Sequence, residues 1–258
     1  MYLATNDQLD QIKKLFCDEE SKILKAYLQG HMGDAWVNDL ENPTAAQVKV
    51  DFFSFFAGDV NADNAKSLLT NLEEHNLIIV KDNKWKRAIE EFYKNNQKMT
   101  RYSFHDTDNN FDTEALEVYI NNLPNDYRIK AIDLESTQNP GLGEVLDEYG
   151  ASFESKEDYL NRGFGYYISK GDEIACVVST YSVYDNGIEI DIATKESYQG
   201  KGLATVAAAK MMLECFKRNL HPNWDAASKT SYQMALKLGY KFNEAYDTYY
   251  VHVEQSNS

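Results

Sequence analysis

Apolar positions in the first 120 residues switch repeatedly between helical and strand spacing. One long helix is predicted over 7–30, where apolar side chains recur at helical intervals at Leu9, Ile12, Leu15, Phe16, Ile23 and Leu24. Short apolar runs bounded by turn residues predict strands over 35–37, 48–56, 77–80 and 101–104. Helical spacing predicts further helices over 65–74, 85–93 and 113–120.

The pattern changes after the turn-rich stretch 121–124, where we place a domain boundary. Strands are predicted over 127–132, 164–169, 174–183, 188–193, 223–226 and 241–253. Helices are predicted over 142–149, 156–160 and 201–219, and one more from the cap Ser228 to Gly239. The tight turn at 170–172 joins two of the strands as a hairpin. The chain therefore reads as an α+β protein with an N-terminal domain over 1–122 and a second domain over 123–258.

One junction in the second domain has the character of a ligand site. The apolar strand 188–194 leads through a short turn into Gln199-Gly-Lys-Gly-Leu-Ala204, which opens a long and almost wholly apolar helix. The first N–H groups of a helix lack internal partners and attract anions. Gly202 has no Cβ, so the backbone there can approach a ligand closely. The junction is suited to holding a pyrophosphate.

Charge narrows the choice of partners. The chain has 258 residues and a net charge of −15, so nucleic acids and anionic membranes are disfavoured as partners. A cationic substrate would match this sign, although an acidic surface also serves solubility. Any anionic ligand must be held locally, against the field of the whole protein.

Other residue types exclude several kinds of site. Cys17, Cys176 and Cys215 are scattered and odd in number, which argues against disulfides and for a reducing, cytoplasmic location. No apolar run reaches membrane-spanning length, and the first residues lack the pattern of a secretory signal. The five histidines show no paired spacing, so no metal site is expected. The acidic stretch 106–117 resembles a calcium loop only superficially, because Phe111 replaces the required glycine.

Two blocks of sequence resemble the GNAT superfamily of N-acetyltransferases. The first is Gln199-x-x-Gly202-x-Ala204 at the strand-to-helix junction, which matches the Gln/Arg-x-x-Gly-x-Gly/Ala signature of that family. The second runs from Asn223-Trp-Asp to Leu238-Gly-Tyr240 and is similar to the family's strand, helix and Gly-Phe ending. The segments Trp224-Asp225 and Leu203-Ala-Thr205 resemble the corresponding sequences of one branch of the family, the zwittermicin A resistance-type acetyltransferases.

The resemblance implies a mixed, mostly antiparallel twisted sheet flanked by helices, and acetyl-coenzyme A as co-substrate. The pantetheine arm would pair with the backbone of Ile192, Ala193 and Thr194. A splay between that strand and the next one makes room for the arm in this family. The pyrophosphate would lie on the backbone of Gln199, Gly200, Lys201, Gly202, Leu203, Ala204 and Thr205.

Acetyl transfer needs a base, because a protonated amine has no lone pair with which to attack the thioester. Glu189 and Asp191 alternate with three isoleucines, so both carboxylates lie on one face of their strand. The isoleucine face is expected to pack under a helix and the acidic face to border a cleft. Glu189 is the first candidate for the base and Asp191 the second. The alternative is the solvated face of a half-exposed strand.

The general acid departs from the family pattern, because Ala235 occupies the position of the tyrosine that usually protonates the thiolate in this family. Tyr232, one turn earlier, is the candidate substitute, and Tyr246 is another. On the acceptor side, Trp224 is either a lining residue or part of the core. Asp225 either binds the substrate ammonium or caps the following helix.

The expected activity is direct acetyl transfer to the primary amine of a small molecule. The branch resemblance suggests an aminopolyol antibiotic or a polyamine-like compound, and hence a role in antibiotic resistance. We expect a monomer or homodimer whose N-terminal domain helps to shape the acceptor pocket. A non-catalytic acyl-coenzyme A sensor and a protein N-acetyltransferase remain alternatives.

Overall fold

The computed structural model describes residues 1–107, 109, 111–146 and 150–253, and it divides into two compact units. Within these residues the strands are β1 (Tyr2–Leu3), β2 (Asp34–Val37), β3 (Ala45–Val50), β4 (Phe53–Gly58), β5 (His75–Ile79), β6 (Gln97–Phe104), β7 (Tyr127–Ala131), β8 (Gly165–Lys170), β9 (Glu173–Tyr184), β10 (Gly187–Thr194), β11 (His221–Asn223), β12 (Asp225–Ala226) and β13 (Phe242–His252). The α-helices are α1 (Leu9–Leu15), α2 (Lys22–Leu28), α3 (Asn83–Phe92), α4 (Thr113–Asn121), α5 (Gly141–Val145), α6 (Lys156–Arg162), α7 (Leu203–Lys217) and α8 (Lys229–Lys237).

The first unit comprises Met1–Arg101 and the C-terminal segment from Tyr246 onward. Its strands are ordered β1-β2-β3-β4-β5-β13-β6, with β4 and β5 parallel and β13 antiparallel to β5. The fully buried Trp85 of α3 fills the core beside Ile78 and Tyr249, and its indole N–H donates to the carbonyl of Gly58 at 2.8 Å. The return of β13 therefore closes the core of this unit.

The predictions for this region need three corrections. The helix predicted over 7–30 is two helices, because Ser21 caps α2 by accepting from the Leu24 amide. The strand predicted over 48–56 is the hairpin of β3 and β4, which turns at Asp51 with a φ of 53°. The helix predicted over 65–74 is a 3-10 helix that ends at Thr70.

The second unit, Tyr102–Ala245, contains a five-stranded sheet of order β11-β10-β9-β8-β7. All of its neighbouring strands are antiparallel except β10 and β11. Helix α7 packs on this sheet against β8, β9, β10 and β11, as its apolar sequence predicts. The mixed, mostly antiparallel sheet flanked by helices confirms the predicted fold class.

The ends of α8 are also as predicted. The Ser228 hydroxyl accepts from the Ser231 amide at the start of the helix. Gly239 follows its end with a φ of 101°, and the Tyr240 amide donates back to the Ala235 carbonyl. Of the helix predicted over 142–149, the structure shows α5, while residues 147–149 lie outside the described part of the chain.

The compact units do not divide where the sequence placed its domain boundary. The position 122/123 falls inside the second unit, directly after α4. Helix α4 packs against α7, so residues 113–121 join the second unit. Among the described helices, none combines the length and the apolar character that crossing a bilayer requires.

Two of the three cysteines lie in the core. Cys176 in β9 and Cys215 in α7 are fully buried, and burial raises the pKa of each thiol to about 12. Cys17 is exposed.

Candidate active site

Strand β10 is paired on both edges over its first three residues only. It runs antiparallel to β9 along its whole length, from Gly187 opposite Tyr184 to Thr194 opposite Cys176. On its other edge the parallel register with β11 ends where Glu189 meets Asn223. Among the residues that the structure describes, the stretch 190–194 is therefore paired with β9 alone.

The chain that leaves β11 does not continue along β10. After Asn223 and Trp224 it forms β12, which pairs with the end of β6 at Ser103 and Tyr102. The strand predicted over 223–226 is thus two strands with different partners. β11 pairs with the start of β10, whereas β12 diverges from it, as expected for the splay that the family resemblance implied.

Three hydrogen bonds show which backbone groups face the open edge. The Lys195 amide donates to the Ala175 carbonyl of β9, so odd-numbered amides at this end of β10 point toward β9. The Ile192 amide donates instead to the carboxylate Oδ1 of Asp191 at 2.8 Å. The Thr194 carbonyl accepts from the side-chain amide of Gln199 at 3.2 Å. The main-chain N–H and C=O groups of Ile192 and Thr194 therefore point away from β9, toward the open edge of β10.

An anchored turn connects β10 to α7. Glu173, at the start of β9, accepts from Lys195 at 2.7 Å and from the Tyr198 hydroxyl at 2.6 Å. These two hydrogen bonds lower the pKa of the Glu173 carboxyl below its usual value. Lys201 donates to the Ser197 carbonyl and lies over the ring of Tyr198. The turn is held in place before the glycines begin.

The helix start that follows is open. Gly200 and Gly202 have φ angles of 75° and 79°, and a Cβ on either would have no atom within 4 Å. Gly202 occupies the N-cap position of α7, and no side chain in the described part of the chain caps this helix. Leu203 is buried, Ala204 and Thr205 are half-buried, and the residues before them are exposed. The first amides of a 15-residue helix therefore remain available to an anion.

Glu189 lies at the point where β10 and β11 part. Its side chain is buried, with 4% exposure, and its Oε2 accepts from the Asn223 side-chain amide at 2.5 Å. Of the three isoleucines, Ile188 and Ile190 are also buried, whereas Ile192 is half-buried. Glu189 does not belong to a solvated strand face, whereas Asp191 is half-buried.

Two tyrosines near Glu189 were missed by the sequence reasoning. Tyr240 is buried and donates to the Pro222 carbonyl at 2.6 Å. Burial first, with the Glu189 charge contributing, raises the pKa of both Tyr184 and Tyr240. Only the pairing of β9 with β10 brings Tyr184 to this place. A single chain with 18 tyrosines gave no signal that would single these out.

Tyr184 and Ser182 have polar atoms in need of partners. The hydroxyls of both are buried and have no hydrogen-bond partner among the described residues. Ser182 stands opposite Glu189, and the Tyr184 ring covers Gly187, where a Cβ would come within 2.3 Å of it. Glu189 therefore has two unsatisfied hydroxyl-bearing neighbours in the sheet.

The candidate general acid Tyr232 packs among aromatic rings. Its ring centroid lies 4.9 Å from that of Tyr102, 5.9 Å from Phe104 and 5.4 Å from Phe242. Ala235, at the family's usual tyrosine position, is fully buried. Tyr246 belongs to the other compact unit.

The two candidate acceptor residues differ in their surroundings. Trp224 is 3% exposed, donates its indole N–H to Ser231 at 3.0 Å and packs against Tyr240. This environment favours the core interpretation of Trp224. Asp225 is half-buried and stands opposite Ser103 in the pairing of β12 with β6.

Comparisons with known proteins agree with this fold. The profile of the family described as GNAT acetyltransferase matches residues 13–249. The crystal structure of a GCN5-related N-acetyltransferase-like protein from Streptococcus suis 89/1591 is 30% identical, with a TM-score of 0.87. It matches over 95% of this chain and 98% of its own.

Two further matches are more limited. The uncharacterized N-acetyltransferase YdfB of Bacillus subtilis (strain 168) is 30% identical over 104 residues, which is 40% of this chain and 40% of that protein. A GCN5-related N-acetyltransferase from Kribbella flavida has a TM-score of 0.57 at 9% identity, over 97% of this chain and 98% of its own, and shares the fold. The family profile covers nearly the whole sequence, and the chain belongs to the GNAT acetyltransferase family.

Proposed function

We propose that this protein is an N-acetyltransferase that transfers the acetyl group of acetyl-coenzyme A directly to the primary amine of a small molecule. The observation that carries the proposal is that the unpaired edge of β10 leads, within a few residues of the chain, to the uncapped start of α7. Backbone donors and acceptors at the edge suit the amide groups of a pantetheine arm. The amides at the helix start suit its pyrophosphate.

The co-substrate would be held mainly by main-chain atoms. Ile192, Ala193 and Thr194 form the strand side of this path, and the arm would displace the Asp191 carboxylate from the Ile192 amide. The loop side is formed by Gln199, Gly200, Lys201, Gly202, Leu203, Ala204 and Thr205. Main-chain recognition fits an acidic protein, because it needs few positive side chains.

In the reaction, the amine nitrogen attacks the thioester carbonyl, the new C–N bond forms and the C–S bond breaks. Glu189 takes the amine proton, directly or through water, and coenzyme A leaves as its thiolate. Asn223 fixes the Glu189 carboxylate by its hydrogen bond. Asp191 is the second candidate for the base.

The acid that protonates the thiolate is proposed to be a tyrosine. Tyr232 is the candidate from the family pattern, and Tyr184 is the alternative from the structure, since its buried hydroxyl lies near Glu189. The Tyr184 hydroxyl is protonated at neutral pH, as a proton donor must be, and its raised pKa makes it a weak acid.

For the acceptor we propose a cationic small amine, such as an aminopolyol antibiotic or a polyamine-like compound. The net charge of −15 supports a cationic substrate, and Asp225 offers a half-buried carboxylate for its ammonium. Trp224, which packs beside Tyr240, would support the acceptor side from the core rather than contact the substrate.

A non-catalytic acyl-coenzyme A sensor is the second candidate. Ala235 favours it, because a buried alanine stands where the family's usual proton donor would be. Both candidates require coenzyme A binding, so only turnover distinguishes them.

Calorimetric titration with acetyl-coenzyme A tests the shared requirement, using wild type and Gly202→Glu. We expect wild type to bind and the variant to lose roughly 100-fold in affinity, because a carboxylate would face the phosphates. Gly30→Glu is the matched control, since Gly30 also has a positive φ of 78° and open space around its Cβ position. It should bind like wild type while bearing the same backbone strain.

Two outcomes would contradict the proposed binding site: no binding by wild type, or equal losses in Gly202→Glu and Gly30→Glu. If binding holds, a panel of amines, peptides and proteins is offered with acetyl-coenzyme A, and release of the free thiol is measured. Turnover with small polyamines supports the proposed function. Turnover with proteins alone points to a protein acetyltransferase, and no turnover points to the sensor.

A further inference from the structure

Three side chains of the types that bind metal ions lie close together at one end of the sheet in the first compact unit. Strand β5 begins at His75 and β13 ends at His252, and the two histidines stand directly opposite each other in the antiparallel register. Glu74 precedes β5, and its carbonyl accepts from the Val253 amide at 2.8 Å. The backbone pairing therefore continues on both sides of the histidine pair and fixes their separation.

The side-chain atoms are as close as the backbone implies. Glu74, His75 and His252 each offer one ligand atom, and these three atoms lie within 4.8 Å of one another. The imidazole centroids of the two histidines are 4.9 Å apart. Among the described residues this is the only such group of three.

The two imidazoles are also held in orientation. Nδ1 of His75 lies 2.6 Å from the Tyr250 hydroxyl, which leaves its Nε2 directed toward Glu74 at 3.6 Å. An outer hydrogen bond of this kind fixes the tautomer of a metal-bound histidine. Nδ1 of His252 is buried and has no hydrogen-bond partner among the described residues. A metal ion bound through this nitrogen would therefore give a partner to an atom that the protein leaves unsatisfied.

We propose that Glu74, His75 and His252 bind a divalent transition-metal ion of the zinc class. Two imidazoles and one carboxylate are a ligand set that zinc takes in proteins, with water or another group in the fourth position. Bonds of about 2 Å to a tetrahedral zinc ion place its ligand atoms about 3.3 Å apart, so the three side chains must move closer together than their present separations of up to 4.8 Å. The ion would join the first residue of β5 to the last residue of β13.

The sequence could not predict this site. No histidine spacing along the chain suggests a metal, and the expectation of no metal site rested on that spacing. His75 and His252 come together only because β13 returns to pair with β5 in this register. The site shares no residue with those proposed for acetyl transfer, so the two proposals can fail independently.

Zinc titration of metal-free protein by calorimetry tests the proposal. Wild type should bind one Zn²⁺ per chain, and His75→Gln and His252→Gln should each lower the affinity roughly 10-fold or more. The double variant should bind no zinc at this stoichiometry. His105→Gln, which removes an exposed histidine of the other unit, is the control and should bind like wild type.

A second readout separates a metal site from a folding defect. Zinc should raise the midpoint of thermal unfolding in wild type and His105→Gln but not in the double variant. Tyr250→Phe keeps all three ligands and should bind several-fold more weakly because it removes the outer hydrogen bond. Equal zinc affinity in wild type and the double variant, or no zinc binding by wild type, would overturn the proposal.

Discussion

The two parts of strand β10 are built from similar residues but present different surfaces. From Gly187 to Glu189 the strand is paired on both sides, and its acidic side chain is buried against Asn223. From Ile190 to Thr194 it is paired with β9 alone, and its side chains are half-buried from Asp191 onward. The part paired on both sides holds the Glu189 carboxylate in place, while the part paired with β9 alone leaves main-chain N–H and C=O groups available for hydrogen bonds to a ligand.

The difference follows from where β11 ends rather than from the β10 sequence. An edge with free N–H and C=O groups normally invites another strand, and proteins usually cover or charge it. Here Asp191 occupies the Ile192 amide with its own side chain. We infer that the paired part serves chemistry and that the open part serves binding, and this division is what mutations can test.

The largest effect is expected in the paired part. Glu189→Gln should lower kcat for acetyl transfer by about 10²- to 10⁴-fold, because an amide cannot take up the amine proton. It keeps an oxygen for the Asn223 hydrogen bond, so affinity for acetyl-coenzyme A should change little. Stopped assays of thiol release and calorimetry measure the two quantities on the same variant.

Asp191→Asn is the matched variant in the open part. It should change kcat much less, while affinity for acetyl-coenzyme A changes by a few-fold because the contact to the Ile192 amide is altered. A larger loss of kcat in Asp191→Asn than in Glu189→Gln would reverse the assignment of the base and contradict the division between the two parts.

A smaller effect is expected from proline substitutions that remove single amides of the open part. Ala193→Pro should lower the free energy of unfolding by about 1–3 kcal/mol, because the odd-numbered amides here point toward β9 and a buried carbonyl would lose its donor. Ile192→Pro removes an amide that faces the open edge, so it should cost less stability. It should instead weaken acetyl-coenzyme A binding by about 1 kcal/mol, or roughly fivefold.

Ile192→Ala controls for the lost side chain in this comparison, since it keeps the amide. Urea unfolding and calorimetry are run on all three variants. If Ile192→Pro proves as destabilising as Ala193→Pro, then the outer edge of β10 is not open and the proposed path for the pantetheine arm is wrong.

The sequence predicted the site-bearing half of the fold better than the N-terminal half. The strand 188–193, the apolar helix that follows and the Ser228 cap are all local patterns, and the structure confirms them. In the N-terminal half, Asp51 turns within a mostly apolar run by adopting a φ of 53°. Because that conformation is uncommon for aspartate, the apolar pattern alone predicted a single strand.

The residues of the site divide in the same way. Glu189 and the Gly202 loop could be named from alternation and glycine placement, because both signals are short-range. The Asn223 contact of Glu189, the end of the β11 register and the nearby Tyr184 all depend on pairing between strands that are distant in the chain. No periodicity within a single segment carries that information.

The smallest effect is expected from Tyr184→Phe, which removes the unsatisfied hydroxyl beside the paired part. Because a buried hydroxyl without a partner is unfavourable, the variant should equal or exceed wild type in stability at pH 7, by at most about 1 kcal/mol. Burial, followed by the charges of Glu189 and Asp106, raises the pKa of Tyr184 above its ordinary value of 10.0. The folded protein therefore keeps this proton when the unfolded chain loses it, and stability falls as pH rises above about 10.

The free energy of unfolding that is lost between pH 7 and pH 10.5 should be smaller in Tyr184→Phe by about 1 kcal/mol, because the phenylalanine has no proton to release on unfolding. Urea unfolding at pH 7 and pH 10.5 measures it, and Tyr2→Phe, which alters an exposed tyrosine, should leave it unchanged. If Tyr184→Phe also lowers kcat without changing affinity for acetyl-coenzyme A, the hydroxyl takes part in the proton transfers beside Glu189. If the alkaline loss is the same in both proteins, Tyr184 titrates normally and its hydroxyl is reached by solvent, so the paired part of β10 is less enclosed than the structure indicates.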